Sequence, residues 1–178
     1  MRGPAVKWLL LGIAVMTAAL AGGCSKTTEQ GPPPSTVTFE LRNDGVPSVY
    51  LFENCLLDLT ITSLADPVHV IEREGPCGCD CGESSCPVCG PCFLGSREVA
   101  GGAVVSEYWS AVSVTYESAP TGSCERKHTL PAGQYRIDVP VYASAEDTLA
   151  RTGARMATQS FVLPAPGDSV SVALGVSP

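Results

Sequence analysis

Histidine is scarce in this 178-residue chain; His69 and His128 are the only two, and they lie far apart. The H-E-x-x-H, G-x-S-x-G and P-loop patterns are missing, so no zinc-protease, serine-hydrolase or nucleotide-cradling signature is present. Basic residues are also few, 11 Lys and Arg against 18 Asp and Glu. The acids are spread along the chain and form no run. That balance excludes the basic stripe that nucleic acid requires and gives no electrostatic grip on anionic lipid. No apolar run reaches the roughly 20 residues of a membrane-spanning helix.

What is present begins with an address. Met1 to Lys7 carry Arg2 and Lys7 and no acid, and Trp8 to Leu20 is almost wholly apolar. A basic start and a short apolar core followed by small residues form a signal peptide, residues 1–23. Leu20-Ala21-Gly22-Gly23-Cys24 resembles the lipobox of bacterial lipoproteins, although Ala21 stands where that family prefers Leu. The resemblance implies cleavage before Cys24, acylation of its thiol and amine, and a membrane partner reached through that lipid anchor. Ser25 in place of the Asp that retains many such proteins implies the outer membrane. The alternative is ordinary secretion, with Cys24 left as a free or paired thiol.

Residues 24–35 include SKTTEQGPPPS, a polar, Pro-rich tether that favours extended polyproline geometry. Residues 36–178 have the length of one domain with a real core. Losing Arg2 and Lys7 with the signal takes the formal charge from −7 to about −9, which solubilises the surface.

Period-two alternation dominates this domain. It runs through Val37, Phe39, Leu41; Cys55, Leu57, Leu59, Ile61; Tyr135, Ile137, Val139, Val141; and Val170, Val172, Leu174. The intervening Asp58, Thr60, Arg136 and Asp138 are expected in solvent. Shorter strand candidates are 48–52, 67–72, 104–116 (one bent strand or two) and 159–163. Turn signals such as Asn43-Asp44-Gly45, Gly101-Gly102 and Pro131-Ala132-Gly133 separate them. Only 145–157 could form a helix, and Gly153 interrupts it. This pattern predicts an all-β fold, an antiparallel β-sandwich with a cysteine-rich loop insertion. Leu130-Pro131-Ala132-Gly133-Gln134-Tyr135 loosely resembles the turn into a strand of immunoglobulin-like modules, which bears on architecture and not on function.

The insertion, residues 76–92, holds Cys77, Cys79, Cys81, Cys86, Cys89 and Cys92, with Val88 its one aliphatic side chain. Ordering it costs on the order of 20–30 kcal/mol. A short-loop disulfide returns about 2 kcal/mol, whereas a structural zinc returns about 10–16. Compartment outweighs that comparison, because exported cysteines pair. With Cys55 and Cys124 the count apart from Cys24 is an even eight. Strained Cys-x-Cys rings are disfavoured, so Cys77, Cys79 and Cys81 are expected to pair with Cys86, Cys89 and Cys92. Cys55, in phase with the core, then pairs with Cys124.

Two alternatives stay open. Clustered thiolates could hold zinc or Cu(I), as metallothionein-like clusters do. Cys89-Gly90-Pro91-Cys92 resembles a thioredoxin active site, and Cys86-Pro87-Val88-Cys89 is a second Cys-x-x-Cys, but no helix pattern follows either. Glu125-Arg126-Lys127-His128 reads as a charged turn. Glu107-Tyr108-Trp109 and Glu117 read as strand positions around a core aromatic, not as a carboxylate pair. The reading is thus a non-catalytic, disulfide-stapled envelope lipoprotein that needs no cofactor and binds no nucleic acid. Beyond its membrane, it would meet another envelope protein.

Overall fold

Alternating side chains need an interior to share, and here several sheets share one. The computed structural model describes residues 36–86, 90–119, 122–165 and 169–174. The elements are β1 (Val37–Arg42), β2 (Val49–Asn54), β3 (Leu56–Leu57), β4 (Thr60–Ser63), β5 (Asp66–Val70), β6 (Leu94–Val99) and β7 (Val104–Trp109). After these come β8 (Val112–Ala119), β9 (Gly122–Thr129), β10 (Gly133–Val141), α1 (Ala145–Ala150), β11 (Arg155–Leu163) and β12 (Ser169–Ala173). The fold is all-β and sandwich-like. Strand orders are β12-β1-β7, β11-β10-β4-β5, β3-β2-β6 and β8-β9. Among the described residues every ladder is antiparallel except that of β1 with β12, which runs parallel with Phe39 opposite Val170.

The first three sheets close on one core. β11 lies against β12, and β2 meets the end of β10 through a Tyr50–Tyr142 bridge. Phe39, Leu41, Leu51, Leu57, Ile61, Tyr135, Ile137, Val139 and Val172 are at most 1 % exposed. Each such large side chain taken from water stabilises the fold by about 1.5–3 kcal/mol. Phe161 stands edge-on to Phe39 at 5.4 Å and to Trp109 at 6.3 Å, and it stacks on Tyr135 at 5.8 Å. These rings pack β1 and β7 onto β10 and β11. The Tyr135 hydroxyl donates to the Pro131 carbonyl at 2.7 Å, the bond a tyrosine corner makes in immunoglobulin-like sandwiches.

Several expectations need correction in detail. Asp58, Thr60, Arg136 and Asp138 are half-buried instead of exposed. Neighbouring long side chains cover them: Arg136 pairs with Asp138 and Arg151 with Asp58, each at 2.8 Å. Cys55 is not on the core face of a strand. It sits between β2 and β3 in the left-handed region, φ 62°, a conformation uncommon for a residue with a Cβ. The 104–116 stretch is two strands, one of the two arrangements expected, broken where Ala111 takes φ 51°. The helix stops after six residues. Ser144 caps its start by accepting from the Asp147 amide at 3.1 Å, and Arg151 ends it at φ 57°, so the polar stretch beyond becomes β11.

Candidate functional site: the disulfide module

The insertion cannot fold on itself, so it is fastened to other parts of the chain. Of the described residues between 76 and 86, only Cys79 is buried. Cys79 bridges Cys86 with their Cα atoms 5.1 Å apart, an early cysteine with a late one, as its spacing suggests. Two other expectations are overturned, that of Cys81 with the later trio and that of Cys55 with Cys124. Cys124 bridges Cys81 (Cα–Cα 5.0 Å) and Cys55 bridges Cys92 (4.8 Å), so Cys55 and Cys124 are not partners. The physical reason is the turn at Cys55, which delivers it to the start of β6, where its amide donates to the Phe93 carbonyl at 3.4 Å. Cys124 instead lies on β9, alongside the insertion. Cys77 is also disulfide-bonded. Cys89 and Cys24, the expected lipidation site, lie outside the described residues.

Backbone hydrogen bonds sew the insertion to β9 as well. The Glu125 amide donates to the Cys79 carbonyl at 2.7 Å and the Cys81 amide to the Glu125 carbonyl at 3.0 Å, a short parallel bridge. The Lys127 ammonium reaches Glu74 at 2.5 Å and Asp80 at 3.0 Å. Hydrogen bonding to Glu74, then to Asp80, holds it charged well above the usual lysine range. These residues are in the middle of a strand, so 125–128 is not the charged turn its composition suggests.

Beneath the insertion, Glu125 is 5 % exposed, and its Oε2 has no hydrogen-bond partner among the described residues. The Gly78 backbone covers it so closely that a Cβ at 78 would collide with the carboxylate. Tyr116, opposite Glu125 across the hairpin, has its phenol pKa pushed up by burial first and then by the charges of Glu125 and Glu72.

A cleft of about 450 Å³ opens beside the module, lined by Asp80, Glu83, Glu117 and Arg126 among others. Its charges are largely mutually satisfied. Arg126 donates to both Glu117 oxygens at 2.6 and 2.7 Å, and this hydrogen bonding lowers the Glu117 carboxyl pKa.

A second polar feature closes one end of the core. Arg73 donates to Glu107 at 3.0 Å and to the Leu57 carbonyl at 2.6 Å. Both side chains of this ion pair are only 12 % exposed. Burial raises the Glu107 carboxyl pKa, and the Arg73 charge pulls it back in part. Arg97 and Glu53 form a neighbouring pair at 2.5 and 2.8 Å. The sequence held a signal for this cluster, since Glu107 shares the phase of core-facing Val105 and Trp109.

Other sequence candidates stay apart. His69 pairs with Asp66 at 2.8 Å and His128 meets Thr115 at 3.0 Å, both at the surface. Glu107 and Glu117 belong to different ion pairs. Among the described residues no group of three or more His, Cys, Asp or Glu is placed to hold a metal ion. No family model matches the chain, and no curated protein or solved structure matches it either.

Proposed function

We propose that the chain is an envelope lipoprotein, acylated at Cys24, whose β domain is a disulfide-stapled, non-catalytic interaction module. One observation carries this reading: the insertion is bridged to two distant places, β9 and the β2–β3 turn. Bridges of that kind form and persist where exported proteins fold, which agrees with a signal peptide ending at a lipobox-like cysteine. The outer membrane follows from Ser25, by resemblance. Rigid presentation of an acidic, cleft-bearing surface suits binding to another envelope protein.

The metal-binding alternative needs thiolates, and Cys55, Cys77, Cys79, Cys81, Cys86, Cys92 and Cys124 are held as disulfides. The oxidoreductase alternative needs Cys89 and Cys92 as a pair, whereas Cys92 is joined to Cys55.

Labelled fatty acid should enter the protein in cells, and Cys24→Ala should abolish that labelling and its detergent partitioning. Envelope-purified protein denatured without reductant should show almost no titratable thiol, then about eight after reduction. Labelling that survives Cys24→Ala would sink the anchoring claim. Free thiols with stoichiometric zinc or copper would favour the metal reading.

A further inference from the structure

We propose that residues 78–86 form a flap over the Glu125 carboxylate, latched to β9 by the Cys81–Cys124 bridge and opened when a dithiol reduces that bridge. The flap has almost no apolar grip, because Cys79 is its one buried side chain. The Cys79–Cys86 bridge is internal to the flap and does not hold it down. Cys77, also bridged, lies at its root, and Cys55–Cys92 fixes the chain beyond it. What remains across to the hairpin among the described residues is the Cys81–Cys124 bridge, two backbone hydrogen bonds to Glu125 and the Lys127–Asp80 contact.

The surface under the flap favours opening. Glu125 Oε2 is buried without a hydrogen-bond partner among the described residues, and a buried acceptor left unpaired is destabilising relative to one in water. The contact is close enough that position 78 must be glycine while Glu125 stays beneath it. Nothing can reach that oxygen with the flap down. Covalent closure and the unpartnered Glu125 Oε2 therefore oppose one another.

The exchange balances with an external dithiol as reductant. Its thiolate attacks the sulfur of Cys81, a half-buried residue, forming a mixed disulfide while Cys124 leaves as a thiolate and takes up a proton. The reductant's second thiol then attacks its own sulfur in that mixed disulfide and releases Cys81. Two protein thiols and one oxidised reductant result. The flap swings from β9, and Glu125 and the inner edge of Tyr116 meet solvent.

The test is graded dithiothreitol on the wild-type mature chain. Thiol alkylation identifies which bridges have opened, carbodiimide-driven amine coupling reports access to Glu125, and amide exchange follows each strand. Where Cys81–Cys124 has opened, Glu125 coupling and exchange at residues 79–82 should rise by about tenfold or more, with β1, β4 and β10 unchanged. The Cys81→Ala, Cys124→Ala double variant should show the same without reductant, and if it fails to fold the wild-type titration decides alone. Three outcomes would overturn the proposal: Glu125 coupling readily in the oxidised protein, a flap still protected once Cys81–Cys124 is open, or sandwich and flap exchanging together.

Discussion

The sandwich and the disulfide module solve the same problem by opposite means. In the sandwich, Phe39, Ile61, Ile137 and Val172 are fully buried, and shape and water exclusion hold the strands. In the module most described side chains are in solvent, and covalent bonds substitute for a core. The sandwich gains stability in proportion to area buried, whereas the module gains it by restricting the unfolded chain. The first should therefore fail under denaturant and the second under reductant.

The largest effect that would sharpen this contrast is Phe39→Ala. Removing the ring that meets both Trp109 and Phe161 should cost about 3–5 kcal/mol in urea unfolding, with reductant making no difference to that loss. A much smaller loss would mean the aromatic cluster is not the sandwich's keystone. Next come the bridges. Loop-closure entropy makes Cys81–Cys124, spanning 43 residues, worth about 4 kcal/mol and Cys79–Cys86, spanning 7, about 2.5. Paired serine variants measured side by side should keep that order.

A smaller effect, dependent on pH, concerns the ion pair at the core's end. Burial raises the Glu107 carboxyl pKa in the folded state. Its contribution is then fully present below the unfolded value and is lost as pH rises through the folded one. Arg73 opposes that rise, so Arg73→Met should lift the Glu107 pKa further and destabilise the domain more at pH 7 than at pH 4. Equal losses at both pH values, read from urea midpoints, would mean Arg73 acts by packing alone. Smallest is Ser144→Ala, which removes the helix cap and should cost about 1 kcal/mol, with no change in the module's amide exchange.

The comparison also explains what could be read from residues alone. Strands whose alternate side chains feed the core announced themselves: Val37-Phe39-Leu41 and Tyr135-Ile137-Val139-Val141 lie where their period places them. β9 was invisible because Gly-Ser-Cys-Glu-Arg-Lys-His-Thr carries no apolar stripe; it is a strand because β8 and the insertion lie beside it. The pairing of Cys55 was missed for a similar reason. Its fate is set by a left-handed backbone turn, which alternation in the sequence cannot reveal. Position 78 and Glu125 were equally silent, since neither residue type points to a contact across 47 positions of chain.

The crossed order of the bridges has a consequence for biogenesis. On the proposed export reading, a chain entering an oxidising compartment N-terminus first would present Cys55 and the whole 77–92 cluster before Cys124 arrives, yet Cys81 must wait for Cys124. Early oxidation among neighbours would consume Cys81 in a wrong pair, and only exchange between bridges could free it. Yield of native protein should then depend on disulfide isomerisation more than on the rate of oxidation.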